Sequence, residues 1–294
     1  MQAMTTRALH FFAAALAFLA VISSSNTLSG QQPAAPGGTA SHGGMHAPGD
    51  DWPKAKLDKS PRHREWVTIQ YGNRKLQAFV VYPEAKEKAP VVVVIHEIFG
   101  LSNWARSMAD DIAAAGYIAI APDLLSGMGP NGGGSSAFAD QDDAVKAVSG
   151  LDPNVVRADL DATADYGKKL PAANGKLAVA GFCWGGGKSF DFATHRKDLN
   201  AAFVFYGPPP EASAIAAIHA PVYGFYGGND SRIGATVPGT IEAMKAAGKK
   251  YEPVTYEGAG HGFMRAGEAP DAKPEDKKAR EDGLQRLTIL LKSL

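Results

Sequence analysis

Cysteine is nearly absent from this chain: Cys183 is the only one among 294 residues. A single thiol excludes an internal disulfide, so it is either a small buried hydrophobic side chain or a nucleophile. An excess of one charge is also absent, since thirty basic residues balance thirty acidic ones. No basic patch stands out, and this argues against nucleic acid as a partner.

The N-terminus lacks a hydrophobic run long enough to span a bilayer. Its apolar run, residues 11–22, is well short of the ~20 residues that a spanning helix needs. The run follows Arg7 and precedes small polar residues, which is the order of a secretory signal peptide. We therefore predict a signal peptide over residues 1–25 and a periplasmic or secreted protein. An uncleaved leader that anchors the protein to the membrane is the alternative.

Residues 26–61 are rich in Gly, Pro, Ser and Ala. A segment of this composition cannot bury enough apolar surface to order itself, so a disordered linker is predicted. His42 and His46 are interpreted as part of this solvated linker rather than as metal ligands.

The rest of the chain, residues 62–294, alternates short apolar runs with amphipathic stretches. Two runs of alternating polarity predict an opening antiparallel pair, and the stretch "VVVVIHE" is typical of a strand buried on both faces. Strands are predicted at 65–70, 75–83, 91–97, 117–123, 176–182, 201–207, 221–227 and 250–258. Because helices alternate with most of these strands, we expect one α/β domain: a mainly parallel central sheet with helices on both faces. In such sheets the reactive residues lie just after the strands.

Cys183 meets this condition, because it follows the strand at 176–182 and precedes a helical stretch. The sequence "GFCWG" is the G-x-C-x-G form of a nucleophile elbow, with glycines two residues on either side of the thiol. Such a turn places the nucleophile at a helix N-terminus, which favours the reactive thiolate. A buried, inert cysteine is the alternative reading.

A nucleophile needs a base and a group that orients the base. Asp230 ends the stretch "FYGGND", and His261 lies in "YEGAGHGF" after the next strand. They follow the cysteine in the order nucleophile, acid, histidine that α/β-hydrolases use. Glu97 in "HEIFGL" stands at the end of the apolar strand 91–95 and brings a carboxylate to the same edge. Its alternative role is to cap the next helix.

Together, "HEIFG", "GFCWGG", "YGGND" and "GAGHGF" resemble the dienelactone hydrolase family of α/β-hydrolases. The resemblance covers residues 66–294. It implies an α/β-hydrolase fold and a catalytic triad of Cys183, His261 and Asp230.

The resemblance also implies further site residues. The backbone N–H groups of Trp184 and Ile98 would form the oxyanion hole. Glu97 would contact the resting Cys183 thiol and be displaced when substrate binds.

One part of the family pattern is missing here. Relatives that act on dienelactone bind its carboxylate with two arginines, of which Arg265 matches the first. Gly127 stands where the second is expected, after "APDL". An arginine–carboxylate contact is a charge-assisted hydrogen bond worth about 1.5–3 kcal/mol. We therefore expect neutral esters to be turned over at least as well as a carboxylate-bearing lactone.

The predicted function is hydrolysis of carboxylic esters or lactones through a thioester of Cys183. An acyltransferase or amide hydrolase on the same fold, and a periplasmic thiol redox sensor or binding module, are the alternatives. We expect no metal or organic cofactor, a small-molecule substrate, no membrane contact of the mature domain, and a monomer.

Overall fold

The structure is a computed structural model, and it describes residues 52–294. The predicted leader, most of the predicted linker, and His42 and His46 lie outside the described residues. Within residues 52–294, no helix combines the length and the apolar character that a membrane crossing requires.

An eight-stranded sheet with the order β1-β2-β4-β3-β5-β6-β7-β8 forms the centre of the described domain. β2 runs antiparallel to its neighbours β1 and β4, and all the other neighbouring strands are parallel. The predicted opening antiparallel pair and the mainly parallel sheet are both confirmed. The strands are β1 Arg64–Tyr71, β2 Arg74–Val81, β3 Ala89–Ile95, β4 Ile118–Pro122, β5 Ala173–Phe182, β6 Ala201–Phe205, β7 Val222–Gly227 and β8 Tyr251–Tyr256.

Helices connect most of the strands. They are α1 Trp52–Asp58, α2 Asn103–Ala114, α3 Gln141–Ser149, α4 Pro153–Lys169, α5 Trp184–His195, α6 Ser231–Gly234, α7 Val237–Ala246, α8 Phe263–Ala266 and α9 Pro274–Leu291. Three short 3₁₀ turns lie at Pro130–Gly132, Ser135–Ala137 and Ala212–Ala217.

β3 shows why the sheet is covered on both faces. Val92 and Val94 belong to one hydrophobic core, whereas Val91, Val93 and Ile95 belong to a second core. Successive side chains of a strand point to opposite faces, so an unbroken apolar run requires packing on both. The expectation of helices on both faces is met by these two cores.

Helix α1 differs from the sequence prediction, which extended the disordered linker to residue 61. Leu57 is 5% exposed and belongs to the first core. The ammonium of Lys56 lies 2.6 Å from a carboxylate oxygen of Asp111 and 2.5 Å from one of Glu268. The folded domain therefore begins at least by Trp52, because long-range contacts stabilise a helix too short to persist alone.

Candidate active site

Cys183 occupies a sharp turn between β5 and α5. Its φ is 57° and its ψ is −117°, a conformation that non-glycine residues rarely adopt and that marks strained functional turns. A Cβ on Gly181 would lie 1.9 Å from the carbonyl oxygen of Gly185, so the predicted elbow requires glycine at this position. The cysteine itself is only partly buried, which leaves its thiol accessible.

In the predicted triad, His261 lies within hydrogen-bonding distance of both other residues. Nε2 of His261 is 3.1 Å from Sγ of Cys183, and Nδ1 of His261 donates to a carboxylate oxygen of Asp230 at 2.5 Å. Asp230 is 7% exposed and also caps α6 by accepting from the backbone N–H of Ile233. The geometry is that of a nucleophile, a base and an orienting acid.

The charge balance around His261 favours its protonated form. Burial of the ring lowers the pKa of His261, but the hydrogen bonds to Asp230 and Cys183 outweigh burial and raise the pKa to about 9. Burial raises the pKa of Asp230, and the hydrogen bond from His261 more than reverses this, so the pKa is lowered. Both directions agree with an imidazolium beside a carboxylate near neutral pH.

Two backbone N–H groups in the segments that follow β3 and β5 remain without an acceptor among the described residues. Trp184 is the first residue of α5, and Ile98 lies in the turn after β3. Within residues 52–294, neither N–H donates an intramolecular hydrogen bond. An oxyanion hole requires open backbone donors of this kind.

No hydrogen bond joins Glu97 to the Cys183 thiol, a contact that the resemblance implied. Its carboxylate is 3% exposed and accepts from Nε of Arg265 at 2.8 Å and from the hydroxyl of Tyr206 at 3.4 Å. The nearby charge of Glu97 raises the pKa of Arg265. Glu97 pairs with Arg265 because a nearly buried carboxylate needs a cationic partner, which a cysteine side chain cannot provide.

Tyr206 is a site residue that the sequence analysis did not identify. It is fully buried with a φ of 40°, and its ring packs edge-on against His261 at 5.1 Å. Burial raises the pKa of Tyr206 well above its usual value, so its hydroxyl stays protonated and donates to Glu97. Its place directly after β6 was the available signal, because reactive residues in this fold follow the strands.

Arg265 stacks its guanidinium over the ring of Phe99, 5.0 Å from the ring centroid, and its side chain is 30% exposed. The second arginine of the family pattern is absent, because its expected position holds Gly127. Among the described residues, and apart from its chain neighbours, the only atom within 4 Å of a Cβ built at Gly127 is Nη1 of Arg74, at 3.8 Å. The guanidinium of Arg74 is already bound to the carboxylate of Asp159.

A metal site is not formed by the described residues: no three His, Cys, Asp or Glu side chains in 52–294 are grouped so that they could hold an ion.

Comparison with known proteins places this chain in a family. The model of the dienelactone hydrolase family matches residues 76–294. The chain belongs to the dienelactone hydrolase family. A Pseudomonas putida carboxymethylenebutenolidase is 30% identical over 209 residues, covering 68% of this chain and 86% of the relative. A Salmonella typhimurium protein named provisionally as a carboxymethylenebutenolidase is 34% identical over 230 residues, 72% of this chain and 80% of the relative.

A solved structure supports the same assignment. The crystal structure of a Klebsiella pneumoniae protein, described provisionally as a dienelactone hydrolase, is 28% identical with a TM-score of 0.70. The match covers 79% of this chain and 99% of that structure. This dienelactone hydrolase family member is therefore a hydrolase with the α/β-hydrolase fold, as the sequence predicted.

Proposed function

We propose that the protein hydrolyses carboxylic esters or lactones through a triad of Cys183, His261 and Asp230 and a thioester intermediate. The observation that carries the proposal is the hydrogen-bonded line from Sγ of Cys183 through His261 to Asp230, with distances of 3.1 Å and 2.5 Å. The names of the relatives support a lactone or ester substrate.

In the first half-reaction, the Cys183 thiolate attacks the carbonyl carbon, and a C–S bond forms as the carbonyl π electrons move to oxygen. The N–H groups of Trp184 and Ile98 donate to this oxyanion. When the oxyanion collapses, the bond to the leaving oxygen breaks and the His261 imidazolium gives that oxygen its proton. An ester releases its alcohol, whereas a lactone opens and keeps the new hydroxyl on the acyl group.

In the second half-reaction, neutral His261 takes a proton from water, and the resulting hydroxide attacks the thioester carbonyl. The C–S bond breaks, the carboxylic acid leaves, and the Cys183 thiolate returns beside the imidazolium. Asp230 keeps the ring oriented in both halves because it holds Nδ1 and leaves Nε2 for the proton transfers.

The substrate that we propose is neutral close to the reacting carbonyl. Glu97 already neutralises Arg265, and a substrate carboxylate would have to compete with this carboxylate for the guanidinium. The partly exposed aromatic side chains of Trp184, next to the thiol in sequence, and Phe99, which packs against Arg265, add apolar surface to the site.

The test uses Cys183→Ala and Cys183→Ser with p-nitrophenyl acetate. Wild-type protein should show a burst of p-nitrophenol stoichiometric with enzyme and an acetyl adduct on Cys183 by mass spectrometry of the quenched reaction. Because this is the only cysteine, the adduct is unambiguous. The alanine variant should lose turnover and adduct while keeping its thermal unfolding midpoint. Turnover by Cys183→Ala within about tenfold of wild type would end the proposal, since covalent catalysis should contribute far more.

We also propose that the protein is exported to the periplasm or secreted. The proposal rests on the leader-like sequence of residues 1–25, which lies outside the described residues. Fractionation of cells that express the full chain, with the N-terminus of the product determined by mass spectrometry, tests it.

A further inference from the structure

We propose that His96 is a positioning residue that orients and strengthens the oxyanion hole. The inference rests on the proposed function, because it assigns a role relative to the Ile98 and Trp184 N–H groups. His96 is completely buried at the end of β3 and touches neither the thiol nor the other members of the triad by any hydrogen bond.

The ring of His96 holds the peptide that carries one oxyanion donor. Its Nδ1 lies 2.7 Å from the carbonyl oxygen of Glu97. A carbonyl oxygen only accepts, so Nδ1 must carry the proton and donate it. The Glu97 carbonyl and the Ile98 N–H belong to the same planar peptide unit, so fixing one fixes the direction of the other.

The same hydrogen bond also makes the Ile98 N–H a better donor. A proton donated to a peptide oxygen polarises that peptide and strengthens the hydrogen bond that its N–H then forms. Burial lowers the pKa of His96, so the ring is neutral at neutral pH. Its effect on the peptide is therefore that of a neutral hydrogen-bond donor and not that of a nearby positive charge.

His96 also contacts the residue that carries the second donor. Its ring stacks on the indole of Trp184, with centroids 5.6 Å apart and planes 9° apart. The backbones also approach closely here, since a Cβ on Gly185 would lie 2.3 Å from the carbonyl oxygen of His96. The end of β3 and the start of α5 are therefore joined through one residue, and each contributes one donor.

The second ring nitrogen of His96, Nε2, argues against a role that is limited to filling space in the core. Nε2 of His96 is buried and has no hydrogen-bond partner within residues 52–294. An unpaired buried polar atom destabilises the fold, and a phenyl ring would fill similar space without that penalty. The useful atom of His96 is therefore Nδ1, whose single hydrogen bond is to the oxyanion loop.

The experiment compares His96→Phe, which keeps a ring but loses the donor, with wild type. Ester hydrolysis develops an oxyanion, whereas alkylation of Cys183 by iodoacetamide does not. His96→Phe should lower kcat/KM for p-nitrophenyl acetate by about tenfold to a hundredfold, somewhat less than complete removal of an oxyanion donor. The rate constant for alkylation should stay within about twofold of wild type.

A second pair, His96→Asn and His96→Leu, has side chains of nearly equal shape, and only asparagine keeps a donor at this position.

Asparagine should exceed leucine in kcat/KM by about tenfold, with equal alkylation rates, and this comparison decides the case if the phenylalanine variant does not fold. Wild-type hydrolysis by a folded His96→Phe, or equal hydrolysis by asparagine and leucine, would overturn the proposal. A parallel fall in hydrolysis and alkylation would also overturn it, because the residue would then act on the thiol. Failure of the underlying triad is separate: it would appear as turnover by Cys183→Ala.

Discussion

Replacing Glu97 by glutamine removes one charge from the site and keeps the size of the side chain. In the wild-type protein, the Glu97 carboxylate accepts from Nε of Arg265 at 2.8 Å. The charge of Arg265 also interacts with Cys183. Glu97→Gln therefore leaves a cation without its neutralising partner beside the nucleophile, and that cation becomes available to a substrate carboxylate.

The expected gain follows from the strength of one contact. A hydrogen bond between guanidinium and carboxylate contributes about 1.5–3 kcal/mol. The Arg265 side chain is 30% exposed, so solvent screening favours the lower end of this range, about 1.5 kcal/mol, which corresponds to a factor of roughly ten. The ratio of kcat/KM for a carboxylate-bearing ester to kcat/KM for a neutral ester should therefore rise about tenfold in Glu97→Gln.

The assay measures kcat/KM for mono-p-nitrophenyl succinate and for p-nitrophenyl acetate, which share a leaving group. In the same variant, iodoacetamide should alkylate Cys183 faster at neutral pH, because the charge of Arg265, which also acts on Cys183, is then no longer neutralised by Glu97. The double variant Glu97→Gln/Arg265→Gln is the control, and in it the gain for the succinate should vanish. A ratio that stays within twofold of wild type in Glu97→Gln would refute the reasoning.

Three further outcomes are expected. Because pairing with Asp230 helps raise the pKa of His261 from 6.5 to about 9, it stabilises the fold fully below pH 6.5 and this stabilisation is lost as pH rises through 9. The difference in unfolding free energy between wild type and Asp230→Asn should thus be roughly 1–2 kcal/mol at pH 6 and much smaller at pH 10; a constant difference contradicts this. Gly181→Ala should destabilise the fold by about 3 kcal/mol, because the new Cβ clashes with the backbone. The control Gly239→Ala, in a helix where a Cβ meets open space, should stabilise the fold by about 0.5–1 kcal/mol. Similar denaturation midpoints for the two variants would be inconsistent with the elbow. Gly127→Arg should raise kcat/KM for the succinate ester about tenfold. The same variant should lower the free energy of unfolding by about 1 kcal/mol, because φ at residue 127 is 76°. Unchanged kinetics would place this residue outside the substrate site.

Much of the fold and of the candidate triad could be predicted from the sequence because their signals are local. The apolar run of β3 is continuous because both of its faces are buried. Cys183, Asp230 and His261 each stand just after an apolar run in a glycine-rich segment. In a parallel sheet the ends of these strands share one edge, so position along the chain predicts proximity.

The sequence by itself determined which elements form, their order, and which edge of the sheet carries the chemistry. Only the tertiary structure decided the partner of Glu97, which is Arg265, 168 residues away. It also decided the start of the domain, because α1 depends on Lys56 reaching Glu268 across 212 residues. Periodicity reports which face of an element is apolar, whereas the choice among polar partners depends on loop conformations that bring distant charges within about 3 Å and exclude water from around them.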